Sequence, residues 1–337
     1  MIPLAKARFE IVNAASATYT IAMARFTKDM TLFEVLAHPA FHDLKDAFFF
    51  RDFRADQRMK MTFDYLWNVE SNRSDAFDLA NFETMADMAE EDRLIVKANR
   101  PGVPYFAFLV KERNRPFFAI LPGGGYEFCS NPNEGFSVAL SLNRKGYNAF
   151  VIDYGVKEEA HYPQPVIDVT SALKDILANA KEFGIDPKGF GIAGFSAGGH
   201  LSAICARSDI GLSHYGLPSP KMQILGYPVV TMGELSHPMS RELFMGSDIG
   251  DSKMTELLSA DNHIGPDYPA TYICGSMRDM TVNSKNFEML ENALKEAGVR
   301  CHLRLVDSEV HGFGTGDRGT APNWISDAID WLESHDD

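Results

Sequence analysis

The sequence has no apolar run long enough to cross a membrane, and no basic N-terminal segment followed by a continuous apolar core and a cleavage site. The stretch 11–23 is mildly apolar, but polar residues interrupt it at Asn13, Ser16, Thr18 and Thr20. A secreted or membrane-embedded protein is therefore disfavoured. We expect a cytoplasmic protein that has no membrane partner.

Cysteine is scarce, and the four residues of this type lie far apart at Cys129, Cys205, Cys274 and Cys301. None of them forms a C-x-x-C pair, so reduced thiols are expected instead of a disulfide framework or a zinc site. No cluster of His, Asp or Glu has the spacing of metal ligands, and no G-x-x-x-x-G-K-[ST] phosphate loop occurs. The triple glycine at 123–125 lacks the G-x-G-x-x-G form of a dinucleotide site. We therefore expect neither a metal ion nor a cofactor.

Basic residues are outnumbered, because 32 lysines and arginines stand against 46 aspartates and glutamates, a formal net charge of −14. This balance disfavours nucleic acid and anionic membrane surfaces as main partners, since both are themselves negatively charged. The content of 45% hydrophobic and 23% charged residues is ordinary for a globular protein. A chain of 337 residues has room for one large α/β domain with an appendage, or for two domains.

Residues 1–90 predict a small helical appendage. The run Thr31-Leu32-Phe33-Glu34 has the form of a capping box, so a helix should begin at its first residue and end before Pro39. The stretches 58–69 and 81–91 also have helical patterns of apolar residues. We expect the appendage to consist of these helices and their connections.

Phenylalanine is concentrated in this appendage, where five residues of this type lie between Phe41 and Phe53. Such a density is typical of a docking surface, a dimer contact or a cap over an active site. It is equally typical of rings that simply pack against the main domain, and we favour this last interpretation. A homo-oligomer stays open as an alternative.

From Arg93 onward strands and helices alternate, which predicts a mostly parallel, doubly wound α/β sheet in a domain of residues 91–337. An antiparallel pair, turned by Pro101-Gly102, should open this sheet. Strands are expected directly before Ser196 and at 94–98, 105–110, 116–121, 147–154, 221–227, 270–274 and 300–306. Helices are expected directly after Ser196 and at 134–145, 163–183, 283–297 and 322–333.

Residues 229–265 interrupt the alternation with methionines and Phe244 among Gly, Ser, Asp and Pro. A long insertion near the carboxyl end of a sheet is a natural lid or pocket wall. The alternative is a solvated excursion with a short helix at 254–258. The composition favours neither interpretation over the other.

The stretch Gly194-Phe195-Ser196-Ala197-Gly198 has the form of a nucleophile elbow. An apolar run leads to a serine between small residues, and a helix-compatible stretch follows. Such a turn strains the backbone at the nucleophile, and the flanking glycines prevent clashes with neighbouring chain. A glycine-rich strand-to-helix turn without chemistry matches these five residues equally well, so the rest of the chain must decide.

A second glycine-rich stretch, Pro122-Gly123-Gly124-Gly125, directly follows an apolar strand. Its glycines permit backbone geometry in which N–H groups point into a cleft, as acyl transfer requires for the charge on the former carbonyl oxygen. We expect the oxyanion donors to be the N–H groups of Gly124 and Gly125, together with that of Ala197. Gly123 is an alternative donor, because the sequence does not determine which N–H groups of the loop point into the cleft. The other interpretation is an ordinary turn without a catalytic role.

A serine nucleophile needs a base and an orienting acid, in the order serine, acid, histidine for this topology. His311 follows the last predicted strand in a glycine-rich loop, so it is the predicted base. Asp279 follows the preceding strand and is the predicted acid. Asp307 and Glu309 are alternative candidates for this role. If Asp279 has no catalytic role, an ion pair with Arg278 is the alternative. Of the other histidines, His200 is expected to pack locally, His302 to lie in a strand and His335 to lie in the charged tail. The candidates to line the pocket are His214, His237 and His263.

Several motifs occur in one order: Gly123-Gly124-Gly125-Tyr126, Gly146-Tyr147, Val151-Ile152-Asp153-Tyr154, Asp168, Gly184-Ile185-Asp186-Pro187, Gly194-Phe195-Ser196-Ala197-Gly198-Gly199-His200-Leu201, Asp279 and His311-Gly312-Phe313-Gly314. With them, residues 92–334 resemble α/β-hydrolases of the esterase and lipase class, especially acetyl-xylan-esterase-like and feruloyl-esterase-like carboxylesterases. The resemblance implies Ser196 as nucleophile, His311 as base and Asp279 as acid. Related hormone-sensitive-lipase-like esterases have histidine before the glycines, where this chain has Pro122.

We predict a serine hydrolase that acts on small esters through an acyl-enzyme, with deacetylation of a carbohydrate or similar polar substrate as the favoured activity. The expected partner is therefore a small-molecule or carbohydrate ester. A peptidase or an arylformamidase is one alternative, because the same triad cleaves amides. A hydrolase fold that has lost activity and serves as a binding protein is the other.

Overall fold

The computed structural model describes residues 24–70 and 74–334 of the chain. The apolar stretch 11–23, the first 23 residues of the predicted appendage and His335 lie outside the described residues. Within the described ranges, no helix is both long enough and apolar enough to span a membrane.

Eight strands form one sheet: β1 (Leu94–Arg100), β2 (Val103–Phe108), β3 (Arg115–Leu121), β4 (Asn148–Ile152), β5 (Ile185–Phe195), β6 (Met222–Gly226), β7 (Ala270–Ser276) and β8 (Cys301–Val306). Their spatial order is β1-β2-β4-β3-β5-β6-β7-β8. The pairs β1–β2 and β2–β4 are antiparallel, and the remaining neighbours are parallel. The predicted mostly parallel α/β sheet with an antiparallel opening pair is confirmed.

The helices in the described ranges are α1 (Leu32–Leu36), α2 (Ala55–Arg58), α3 (Phe63–Tyr65), α4 (Leu79–Glu90), α5 (Ser137–Arg144), α6 (Gln164–Ala178), α7 (Ala180–Phe183), α8 (Ser196–Ala206), α9 (Pro238–Met245), α10 (Ser252–Leu258), α11 (Lys285–Glu296) and α12 (Trp324–Glu333). Helix α5 packs against α12, and α6 packs against α8. The predicted helix at 163–183 is divided at Asn179, whose side-chain amide donates to the carbonyl oxygen of Asp175 (2.8 Å).

Burial explains why the central strands are continuous apolar runs. Residues Phe117 to Leu121 of β3 and all five residues of β4 are buried. A strand covered on both faces has no solvent side, so it lacks the alternation of polar and apolar residues. Strand β8 lies at the edge of the sheet and is only partly buried, and its sequence alternates accordingly.

The capping box predicted at the start of α1 is confirmed. The Glu34 carboxylate accepts from the Thr31 N–H (2.7 Å), and the Thr31 hydroxyl accepts from the Glu34 N–H (3.3 Å). The structure does not form the single helix predicted at 58–69. Helix α2 ends at Arg58, and α3 begins after Thr62, whose side chain caps it. A second local cap therefore divides a stretch whose apolar pattern predicted one helix.

Many aromatic rings of the N-terminal segment pack against one another, and Phe48 joins this group to the sheet domain. Phe48 is 1% exposed, and its ring centroid lies 5.4 Å from that of Phe136 and 5.7 Å from that of Phe82. Arg318 lies over the Trp67 ring (3.8 Å) and donates to the Trp67 carbonyl oxygen (2.7 Å). The described part of the segment therefore shares one hydrophobic core with the sheet. A domain boundary at residue 90 stays a prediction.

The insertion 229–265 contains α9 and α10, the second of which begins two residues before the predicted short helix. Its apolar side chains Met232, Phe244, Met245 and Leu258 are fully buried. The insertion therefore packs as part of the core, which disfavours a solvated excursion.

Replacing Phe48 tests whether the N-terminal segment contributes to the shared core. We expect Phe48→Ala to lower the free energy of unfolding by about 3–5 kcal/mol, because it removes a buried ring between two others. The matched control is Phe33→Ala at a ring that is 50% exposed, which should cost less than about 1 kcal/mol. Urea unfolding of both variants measures the difference, and equal small losses would contradict the shared core.

Candidate active site

The elbow at Ser196 depends on two close backbone approaches. Ser196 has a φ of +52°, in the left-handed region, at the junction of β5 and α8. A Cβ on Gly198 would lie 2.2 Å from the carbonyl oxygen of Leu121 and 2.3 Å from that of Pro122. A Cβ on Gly194 would lie 2.3 Å from the Gly198 carbonyl oxygen. Only glycine fits at these two positions, which accounts for the G-x-S-x-G spacing.

The structure brings the three predicted triad side chains together. His311 Nε2 lies 2.9 Å from Ser196 Oγ, and His311 Nδ1 lies 2.7 Å from Asp279 Oδ2. The other carboxylate oxygen, Asp279 Oδ1, accepts from the N–H groups of Thr281 and Val282, both at 2.8 Å. Asp279 is thus held by its own loop while it orients the imidazole, an arrangement that suits a base acting on a serine hydroxyl.

The rival acids have another partner. Arg278 forms ion pairs with Asp307 and with Glu309, the second at 3.5 Å. The structural alternative of an Arg278–Asp279 pair is not formed, since the Asp279 carboxylate bonds His311 and its own loop. These contacts leave Asp279 as the carboxylate beside His311.

Two further histidines have the positions expected of them. His200 is fully buried, with Nδ1 2.8 Å from the Tyr126 hydroxyl and Nε2 2.8 Å from the Leu258 carbonyl oxygen. Burial lowers the pKa of His200 to about 4, so the ring is neutral. His302 lies in β8 beside the rings of Tyr272 and Trp331. Of the three histidines expected to line the pocket, His237 does so, whereas His214 and His263 do not.

One hydrogen bond indicates which N–H groups of the glycine loop are available to a substrate. The Gly123 N–H donates to Glu134 Oε2 (2.8 Å), so it is not available to a substrate. Gly124 and Gly125 have φ angles of +123° and +66°, and both line the cleft that contains Ser196. The Ala197 N–H lies in the first turn of α8, where it has no acceptor within the helix. These three N–H groups stay the predicted oxyanion donors.

Glu134 is a site residue that sequence reasoning missed. It is 3% exposed and lines the cleft beside the nucleophile. Burial raises the pKa of Glu134 above its ordinary 4.5, although positive charge on His311 and hydrogen bonds with Tyr227 and Gly123 favour the ionised form. No sequence pattern marked this residue, because its role depends on where the π-helical turn Asn131–Phe136 lies relative to the glycine loop.

Tyr227 connects Glu134 to the loop that carries the base. Its hydroxyl accepts from the Gly314 N–H (2.9 Å), and its ring centroid lies 4.8 Å from that of His311. Burial, followed by the negative charge of Glu134, raises the pKa of Tyr227 well above its usual range. The glycine loop, Glu134, Tyr227 and the His311 loop therefore form one hydrogen-bonded support behind the site.

The cleft over Ser196 has a volume of about 750 Å³ and is built from distant parts of the chain. The donor loop and the His311 loop form its floor, and His237 and Met239 of the insertion form one wall. The N-terminal segment lines another part of it with Asp52, Arg54, Arg58, Ser74, Ala76 and Phe77. This segment thus both packs on the core and reaches the cleft, and the insertion contributes a pocket wall.

The chain is similar in sequence to known proteins. A model of the BD-FAE family matches residues 109–213. An acetylxylan esterase of Xylanibacter ruminicola is 35% identical over 227 residues, which are 64% of this chain and 44% of that protein. An endo-1,4-beta-xylanase B of Butyrivibrio fibrisolvens is 30% identical over 218 residues, or 62% of this chain and 34% of that protein. The chain spans less than half the length of both curated relatives.

One solved structure extends the comparison over most of the sheet domain. An acetyl ester-xyloside bifunctional hydrolase from Caldicellulosiruptor lactoaceticus aligns with a TM-score of 0.61 at 27% identity. The alignment covers 69% of this chain and 88% of that chain. Most of that hydrolase is therefore similar in fold to this chain.

The buried carboxyl of Glu134 generates a prediction about pH. Glu134→Gln keeps a carbonyl oxygen for the Gly123 N–H but cannot ionise. Because the pKa of Glu134 is raised in the folded state, the folded wild type binds this proton more tightly than the unfolded chain. As the pH rises above 4.5 towards the folded pKa, the wild type should therefore lose stability relative to the glutamine variant.

Urea unfolding of both proteins at several pH values from about 4.5 to about 8 measures this difference. Glu134→Ala provides the contrast, since it leaves the buried Gly123 N–H unpaired and should cost about 1–3 kcal/mol at any pH. A stability difference between wild type and Glu134→Gln that does not change with pH would contradict the prediction.

Proposed function

The chain has the α/β-hydrolase fold, and we propose that it is a serine carboxylesterase that hydrolyses small esters of the acetyl type, with acetylated carbohydrate as the favoured substrate class. The observation that carries this proposal is the unbroken line of hydrogen bonds from Ser196 through His311 to Asp279. The cleft above this line also contains the Gly124 and Gly125 backbone. Nucleophile, base, orienting acid and donor loop are the four parts that acyl transfer by serine needs.

In the first half of the reaction, His311 Nε2 takes the proton of Ser196 Oγ as that oxygen attacks the ester carbonyl carbon. The carbonyl oxygen becomes an oxyanion, which accepts from the N–H groups of Gly124, Gly125 and Ala197. His311 then gives its proton to the departing alcohol oxygen, and the acyl-enzyme remains. Loss of one such donor typically costs roughly a hundred- to a thousand-fold in rate.

In the second half, His311 activates a water that attacks the acyl-enzyme and releases the acid. Asp279 accepts from Nδ1–H and so keeps Nε2 as the base. It also stabilises the imidazolium that forms in both halves. The short Nδ1 to Oδ2 distance of 2.7 Å supports this role.

The substrate class is argued from the cleft and from the relatives. The names of an acetylxylan esterase and of an acetyl ester-xyloside hydrolase among the similar proteins support an acetylated sugar. Polar side chains of the cleft, among them Asp52, Arg58, Ser130 and Asn133, suit a hydroxylated molecule. Four unpaired cysteines support a reducing compartment, and we propose a cytoplasmic location.

Removing the nucleophile tests the mechanism. We expect Ser196→Ala to lower kcat for p-nitrophenyl acetate by roughly 10⁴- to 10⁶-fold, with the thermal unfolding temperature kept near that of the wild type. The control is Ser213→Ala, at a serine that bonds Ser219 and does not line the cleft, and it should retain activity. A fluorophosphonate probe should label the wild type and not Ser196→Ala. Turnover by Ser196→Ala at the wild-type rate would refute the proposal.

A substrate panel tests the class of ester. We expect a higher kcat/KM for acetylated xylo-oligosaccharides than for feruloyl esters, aminoacyl amides or formanilides. A preference for the amides would replace the esterase proposal with a peptidase or an arylformamidase. Failure of the fluorophosphonate to label Ser196 would favour an inactive binding protein.

A further inference from the structure

His237 lies in the cleft beside the triad, and the mechanism above does not use it. The residue precedes α9 and caps it, because its Nδ1 accepts from the Ser240 N–H at 3.4 Å. The same nitrogen lies 2.9 Å from Ser240 Oγ. The ring lines the cleft together with Ser196, Gly125 and His311.

The cap determines the tautomer of this histidine. A nitrogen that accepts from a backbone N–H carries no proton, so the neutral ring of His237 has its hydrogen on Nε2. The Ser240 hydroxyl then also donates to Nδ1. Burial lowers the pKa of His237 most, positive charge on His311 lowers it further, and the negative charge of Asp279 acts in the opposite direction. The cleft therefore receives a fixed Nε2–H donor.

The position of the ring indicates which part of a substrate this donor meets. A Cβ on Gly125 would lie 3.5 Å from His237 Cε1, so the ring stands against the donor loop. Nδ1 faces α9, and Nε2 has no hydrogen-bond partner among residues 24–70 and 74–334. The ring also lies close enough to His311 to be affected by its charge. In the proposed mechanism His311 protonates the departing alcohol, so a donor near His311 is placed to meet the alcohol part of the ester.

We propose that His237 Nε2–H donates a hydrogen bond to a hydroxyl group on the alcohol part of the substrate, close to the ester oxygen, and so selects polyhydroxylated leaving groups. This inference rests on the proposed esterase function and adds a hydroxyl-binding residue to it. A neutral donor suits a hydroxyl oxygen, which brings no charge into the site. A bound substrate without this hydroxyl leaves the donor unpaired, and the enzyme then discriminates against that substrate.

The contrasting explanation is that His237 only caps α9. Asparagine separates the two, because it is a strong N-cap residue whose side chain is too short to place a donor where Nε2 lies. His237→Asn therefore keeps the start of the helix and removes the donor from the cleft. His263→Asn is the matched control, since it makes the same substitution in the same insertion at an exposed residue that does not line the cleft. His263 has a φ of +59°, a conformation that asparagine tolerates well.

The experiment compares two esters with the same acyl group and carbon skeleton, glyceryl 1-monoacetate and propyl acetate. The readout is the ratio of their kcat/KM values. We expect the wild type and His263→Asn to prefer the hydroxylated ester, and His237→Asn to lower the ratio by about five- to tenfold, as the loss of one neutral hydrogen bond implies. A role confined to capping the helix would change both rates alike and leave the ratio as it is.

An unchanged ratio in His237→Asn overturns the inference about His237. Hydrolysis of propyl acetate by the wild type then still supports the proposed esterase function. A ratio near one in the wild type overturns it in the same way. Absence of hydrolysis of both esters by the wild type overturns the proposed function, and the inference falls with it. Circular dichroism and thermal unfolding of the variants identify any loss of folded protein before the ratios are compared.

Discussion

The close approach of the elbow helix to the end of β3 is the constraint on which the site depends. The backbone at Gly198 lies so near the carbonyl oxygens of Leu121 and Pro122 that a Cβ there would be within 2.3 Å of either. This contact brings the first turn of α8 beside the glycine loop that follows β3. Ser196 therefore lies in one cleft with Gly124 and Gly125, and the positive φ at the serine is held by the packing around it. The remaining parts of the site are arranged around this junction.

A buried carboxyl supports both loops at the junction. Glu134 accepts from the Gly123 N–H, and its hydrogen bond with Tyr227 continues to the Gly314 N–H behind His311. Burial raises the pKa of Glu134, although its hydrogen bonds with Tyr227 and Gly123 favour the ionised form. One buried group thereby links the glycine loop after β3 to the loop that carries His311.

Specificity is assigned to parts of the chain outside the sheet. The insertion contributes His237 and Met239 to the cleft, and the N-terminal segment contributes Asp52, Arg54 and Arg58, where Arg58 forms an ion pair with Asp52. The sheet and its loops carry the predicted catalytic residues, whereas these additions line the cleft above them. Loops on a common framework can differ while the framework stays the same, so one catalytic framework can accept different substrates.

The sequence by itself determined the features that depend on local chemistry and on order along the chain. The alternation of strands and helices predicted the sheet, the capping box at Thr31 predicted the start of α1, and the order of Ser196, Asp279 and His311 predicted three side chains that the structure brings within hydrogen-bonding distance. Only the tertiary structure decided which distant segments meet. Contacts between different elements decide the role of Glu134, the tautomer of His237 and the N-terminal wall of the cleft. The break in the predicted helix 58–69 came from the Thr62 cap, which competed with an apolar pattern. No local pattern records such contacts, because they arise from how the elements pack and not from their own composition.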